Sequence, residues 1–172
     1  MKDTQLRDYR VLAKNSHWSH RKRHLLIEQE KYWLRGNQSL TKQLLKKSDN
    51  HFEVIVLKET LSRPYLHEAR KLGISLHKIT KIREVELRCN GEPSVYARSI
   101  IPLEVLKGSG LQLANLGNKP LGHLLFKRAK VDLETREIAK RQFVGKQQWA
   151  RRTLYCFNRQ NILVSEFFLF DL

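Results

Sequence analysis

The dipeptide Asn90-Gly91 constrains this chain more than any other feature, because it separates two strand-like runs, KIREVELRC (81–89) and SVYARSII (94–101). Asn and Gly readily take positive φ at both central positions of a tight turn, so the two runs are predicted to fold back on one another as a hairpin. The pattern returns near the C-terminal end, where TLYCF (153–157) and ILVSEFFLF (162–170) are joined by the polar NRQN (158–161). HFEVIVLKETL (51–61) has the β-branched and aromatic content of another strand, followed by an irregular connection through SRPYLHEARKLG (62–73). Upstream, LLIEQEKYWLRG (25–36) reads as a helix stopped by Gly36, and SLTKQLLKK (39–47) as a second helix opened by Ser39. These elements predict an α+β fold: a single antiparallel β-sheet with helices packed on one face.

A chain of 172 residues, 41% of them hydrophobic, has apolar mass for one core. Residues 1–172 are therefore expected to form a single domain, with the basic segment 1–24 less ordered. No stretch resembles a signal peptide or reaches the ~20 apolar residues that cross a bilayer, so a soluble, cytoplasmic monomer with no membrane span is the expectation. Cys89 and Cys156 are too few for a disulfide scaffold and lack metal-ligand spacing, so they read as buried, reduced thiols on strands and no metal is expected.

Alternation exposes two anomalies. In ILVSEFFLF, Glu166 shares a face with Ile162, Val164, Phe168 and Phe170; in KIREVELRC, Arg83 shares one with Val85, Leu87 and Cys89. The opposite face of the latter strand, with Glu84, Glu86 and Arg88, reads as polar. A carboxylate on an apolar face needs a donor or a cation, and a guanidinium there needs a carboxylate or phosphate. Either Arg83 and Glu166 pair with each other in a buried salt bridge, or they stand apart and hold opposite ends of one anionic ligand. A third feature favours the ligand. Pro120 in LGNKPLGHLLF suits the first turn of a helix, whose free N–H groups around Leu121 would face an anion.

The formal net charge of +16 draws in anions of any size, and HWSHRKRH (17–24) interleaves aromatic with basic residues as nucleic-acid binders do. The cations are scattered, however, and no zinc-finger, RNP or heptad pattern accompanies them, so nucleic acid is the alternative partner. His17, His20 and His24 would line up on a helix but have no acidic companion; they read as a basic face. His123 has no carboxylate nearby in sequence to fix its tautomer.

Taken together, REVELRCNGEPSVYARSIIP, LANLGNKPLGHLLF, WARR and LVSEFFLF resemble the chorismate pyruvate-lyase family in order and spacing over about the last half of the chain. A thinner correspondence runs through SLTK near residue 40. The resemblance implies a chorismate lyase-like fold and an enzyme, a carbon–oxygen lyase that eliminates pyruvate from chorismate to give 4-hydroxybenzoate for ubiquinone biosynthesis, with no cofactor. It further implies that Arg83 binds the ring carboxylate, that Glu166 contacts the hydroxyl at the opposite end, and that backbone N–H groups of Leu121 and Leu40 come from two helical flaps. Catalytic roles thus fall to Glu166 and Arg83, and substrate binding to Arg83, Leu121, Leu40 and Glu166. Arg98 matches a family arginine and is a secondary candidate for the pyruvyl carboxylate, although alternation sets it beside Tyr96 and Ile100. Trp149, Arg151 and Arg152 read as a structural segment. Effector domains of bacterial repressors, the UTRA type, share a similar fold, so a non-catalytic binding module for small aromatic acids is the other alternative.

Overall fold

The computed structural model describes residues 2–20, 25–36, 38–128, 130–131, 135–143 and 145–172. In chain order the helices and strands are α1 (Lys2–Lys14), β1 (Ser19–His20), α2 (Glu28–Leu34), α3 (Leu40–Lys47), β2 (Phe52–Ser62), α4 (Leu66–Leu72), β3 (Thr80–Cys89), β4 (Glu92–Pro102), α5 (Leu111–Ala114), α6 (Leu121–Arg128), β5 (Lys130–Val131), β6 (Glu137–Phe143), β7 (Lys146–Phe157) and β8 (Gln160–Phe168). Asn90 and Gly91 take φ of 53° and 80° and close β3 onto β4. Asn158 and Arg159 do the same for β7 and β8, at 50° and 62°. β8 then pairs with β4, fusing the hairpins into one antiparallel sheet of order β1-β6-β7-β8-β4-β3-β2, with β5 also on β7.

The α+β class and the antiparallel sheet are as the sequence predicts, and helices cover both faces. On one face α2 and α3 pack Trp33, Leu34, Leu40 and Leu44 over Val85, Leu87, Ala97 and Phe168. Beside them α6 and the segment before it pack Val105, Leu113, Leu121 and Leu125 over Ile101, Tyr155, Ile162 and Val164. On the other face α1 sets Tyr9, Leu12 and Ala13 against Tyr96, Ala150 and Phe167, and α4 sets Leu72 against Ile82, Ile100 and Leu163. Period-two patterning hides this second layer because its inner lining is charged. Glu84 and Glu86 are fully buried, not solvated. Glu84 accepts from Arg10 at 2.5 Å, Tyr96 at 2.7 Å and Arg98 at 3.1 Å, while Arg98 also donates to Glu68 at 2.8 Å. Burial works to raise the Glu84 carboxyl, but the bonds from Arg10 and Tyr96 and the charge on Arg98 outweigh it and hold it below the usual range.

Two further differences from the expectation have local causes. The connection 62–73 contains α4, which Glu68 opens by accepting from the Tyr65 N–H at 2.8 Å and Gly73 ends at φ 69°. Residues 2–14 of the basic N-terminal segment form α1, anchored by Arg10 and by Tyr9, whose hydroxyl donates to Glu86 at 3.0 Å. Both cysteines are free thiols, Cys89 buried and Cys156 partly exposed. Among the described residues no helix is long and apolar enough to cross a membrane.

Candidate active site

The seam between the two clusters on the α3/α6 face opens into a pocket. All four residues singled out in the sequence line it: Arg83, Glu166, Leu40 and Leu121. Most of the remaining wall is apolar, contributed by Val54, Val85, Leu87, Ala97, Pro120, Tyr155 and Val164, with the hydroxyls of Thr41 and Ser99 beside them. Arg83 lies opposite Ser99 on β4, and Glu166 on β8 lies opposite Ala97. Their backbone positions are therefore two strand spacings, about 10 Å, apart across the sheet, and two residues, about 7 Å, apart along the strands. The two side chains do not pair with each other, and each has its own partner.

At one end, Arg83 is held by Glu59, and its Nη2 donates to the carbonyls of Gly117 at 2.8 Å and Lys119 at 3.2 Å. Glu59 faces Arg83 only because β2 carries an irregularity between Val56 and Lys58. Val56 pairs with Val85, so an unbroken register would set Lys58 opposite Arg83; the extra residue moves Lys58 to Glu84 and brings in Glu59. Burial pushes the Glu59 carboxyl up, but the bonds from Lys81 and Arg83 together prevail and hold it low. Through the 117–119 carbonyls Arg83 also fastens the loop that leads into α6, so a ligand at this guanidinium would meet a loop already attached to it.

At the other end, Glu166 Oε2 accepts from Arg151 Nε at 2.5 Å. Arg151 lies directly opposite Glu166 in the β7–β8 ladder, and its Nη1 donates to the Trp33 carbonyl. Arg136 donates to the Gly36 carbonyl at 2.7 Å and to the Thr153 hydroxyl at 3.0 Å. Two guanidiniums thus meet carbonyls at the C-terminal end of α2, where cations are favoured. Gln43 of α3 in turn donates to the Tyr32 carbonyl at 2.8 Å, tying the two helices together. Tyr155, in the pocket wall beside this group, has its phenol pushed well up by burial and by the Glu166 charge, so it stays neutral.

The mouth lies between α3 and α6, each entering the pocket by its first turn, where N–H groups lack intrahelical partners. Ser39 is the N-cap of α3, as its position suggested, yet its hydroxyl makes no capping bond. Pro120 directly precedes α6. Gly122 faces Thr41 across the mouth, where even a Cβ would be in ordinary van der Waals contact, 3.8 Å from Thr41 Oγ1.

The sequence model of the family described as chorismate lyase matches residues 12–172. The chain belongs to the chorismate lyase family. It is 38% identical over 142 residues to a "probable chorismate pyruvate-lyase" of Marinobacter nauticus, covering 81% of this chain and 75% of that one. A Coxiella burnetii protein of the same name is 36% identical over 151 residues, covering 81% and 82%. In fold, the chain resembles the crystal structure of the PhnF C-terminal domain with a TM-score of 0.54 at 16% identity, over 84% of this chain and 93% of that one. It also resembles the ligand-binding domain of a GntR-family regulator from Bordetella bronchiseptica, with a TM-score of 0.54 at 17% identity over 70% and 85%.

Arg98, a secondary candidate in this lyase-family chain, points away from the pocket into the buried network with Glu68 and Glu84. Arg152 also turns to the opposite face, where it pairs with Glu137 at 2.7 Å and lies over the Trp18 ring. Trp149 packs in the core under α2, and its indole donates to Glu30 at 2.9 Å. His17 and His20 follow α1 instead of sharing a helix. His24, residues 21–24 of the basic motif and the side chain of His123 lie outside what the structure describes. Arg151, the partner of Glu166, is what sequence reading missed. Its signal was the hairpin register: once Asn158-Arg159 is the turn, Arg151 must oppose Glu166.

Proposed function

We propose that this protein is a chorismate pyruvate-lyase, and that the pocket between α3 and α6 converts chorismate to 4-hydroxybenzoate and pyruvate. The observation that carries the reading is the spacing of Arg83 and Glu166 along one apolar wall, with two helix N-termini at the mouth, in a chain of the chorismate lyase family. Arg83 takes the ring carboxylate, assisted by the N–H groups of Leu40 and Leu121. Glu166 accepts a hydrogen bond from the ring hydroxyl through Oε1, because Oε2 is engaged by Arg151.

In the reaction the ether C–O bond breaks, and the neighbouring carbon that bears the hydroxyl loses its hydrogen as a proton. Its electron pair completes the aromatic ring. The ether electrons leave with enolpyruvate, which gains a proton at its methylene carbon to become pyruvate. Aromatisation supplies most of the driving force, so the protein contributes position, charge complementarity and exclusion of water. Glu166 either orients the hydroxyl alone or also accepts the departing proton. The host uses the product for ubiquinone, and the protein acts as a cytoplasmic monomer whose positive charge steers a dianion to the mouth.

Calorimetry with 4-hydroxybenzoate tests the site. The parent should bind it, and Arg83→Ala should lose at least about tenfold in affinity, as expected for a charge-assisted bond. Unchanged affinity in Arg83→Ala would remove Arg83 from the site. Turnover by Glu166→Gln separates the two roles of the carboxylate: a near-parental rate leaves only orientation.

A further inference from the structure

Chorismate carries two carboxylates, and the site described so far provides for one. Its enolpyruvyl group is attached beside the hydroxyl-bearing carbon, so the second carboxylate arrives at the Glu166 end of the pocket. There it would face an anion. Arg98 is on the other face of the sheet and engaged by Glu68 and Glu84, and Arg83 belongs to the far end. Arg151 is different. Its side chain is buried, Nε holds Glu166 Oε2, Nη1 holds the Trp33 carbonyl, and Nη2 is buried with no hydrogen-bond partner among the described residues. In a guanidinium, Nε and Nη2 share one edge, the edge that grips carboxylates two bonds at a time. Nε is turned to Glu166 in the pocket wall, so Nη2 lies on the Glu166 side of the guanidinium, directly behind that wall. Tyr155 in the pocket wall is close enough to Arg151, Arg136 and Glu166 to feel all three charges, so two guanidiniums stand near this carboxylate.

We infer that Arg151 receives the enolpyruvyl carboxylate on Nη2 while Nε keeps Glu166 in place, which makes it the binding residue for the leaving group. This rests on the lyase reading above. It explains why an unsatisfied donor is retained in a buried position, where such a group is otherwise destabilising. It also gives the site a reason to prefer substrate over product, because 4-hydroxybenzoate has no group to offer Nη2.

Two experiments test it. In Arg151→Lys a single ammonium can still pair with Glu166 but replaces the rigid two-nitrogen edge, so the second donor is no longer held at the Nη2 position. The expected result is a loss of about tenfold or more in kcat/KM for chorismate, the worth of a charge-assisted hydrogen bond, with the Kd for 4-hydroxybenzoate within about twofold of the parent. Retained 4-hydroxybenzoate binding also reports a folded pocket. An equal loss for both ligands would mean that Arg151 acts only through Glu166, and no loss for either would mean that it touches no ligand; both overturn the proposal. The second experiment uses the parent protein and so does not depend on a variant folding. It should bind 3-carboxymethoxy-4-hydroxybenzoate about tenfold or more tighter than the corresponding neutral amide, and equal or reversed affinities overturn the proposal. A parent that neither turns over chorismate nor binds 4-hydroxybenzoate would refute the lyase reading itself, a failure visible without any variant.

Discussion

Substituting Glu68→Gln tests whether the charged layer beneath α1 and α4 is structural. Glu68 has 1% of its side chain exposed and Arg98 4%, and Arg98 donates to Glu68 through Nε at 2.8 Å and Nη2 at 3.2 Å. Removing one partner of a buried pair destabilises by about 3–5 kcal/mol when the other charge is left alone. Arg98 would not be alone, because Glu84 remains at 3.1 Å and the Tyr65 ring at 4.3 Å, and glutamine can still accept from the Tyr65 N–H. The expected loss is therefore about 2–3 kcal/mol, below the full range. With a urea slope of about 1–3 kcal/mol per molar, the unfolding midpoint should fall by about 0.7–3 M. Chorismate kinetics of the folded protein should stay at the parental value, since this layer and the pocket are on opposite faces. A midpoint within about 0.3 M of the parent, or a change in KM without loss of stability, would refute the reasoning.

His67 donates one way and accepts the other: Nε2 lies 3.1 Å from the Ala13 carbonyl and Nδ1 3.1 Å from Arg152 Nη1. Burial, and Arg152 beside it, hold its pKa below the usual value despite Glu68, so its neutral form is the native one. The folded value is the depressed one, so its contribution to stability is present above about pH 6.5 and is lost as pH falls through the folded value. Denaturation measured from about pH 7 to 5 should show a weaker pH dependence in His67→Gln; an unchanged slope would contradict this. In Gly110→Ala the new Cβ would sit 1.5 Å from the Val105 carbonyl oxygen, so the segment over Leu113 must move, and thermal unfolding should come several degrees lower. Arg159→Gly relieves a left-handed residue in the β7–β8 turn and should stabilise by about 0.5–1 kcal/mol in urea melts, provided the turn is kept.

How much of this was legible depended on whether a signal was local. The two hairpins were, because Asn90-Gly91 and the polar NRQN each specify a turn, and the turns fix which residues alternate toward the pocket. That made Arg83 and Glu166 visible in the sequence as charges on apolar faces. Their partners were not visible. Glu59 reaches Arg83 only through the irregularity after Val56, which nothing in HFEVIVLKETL announces, and Arg151 required register rather than periodicity. The opposite layer escaped for another reason: Glu84 and Glu86 look solvent-facing, and only the tertiary contacts of Arg10, Tyr9 and Arg98 make their burial tolerable. α4 was hidden because it is seven residues long and follows Pro64.

Incubating the purified protein with chorismate, and measuring 4-hydroxybenzoate by chromatography alongside pyruvate by a coupled enzyme, tests the central claim most directly. The account predicts that the two appear in equal amounts, at a rate proportional to protein and far above the spontaneous background. Background rates for both products would contradict it; if 4-hydroxybenzoate still bound in an Arg83-dependent way, the pocket would be a sensor of small aromatic acids instead of a lyase.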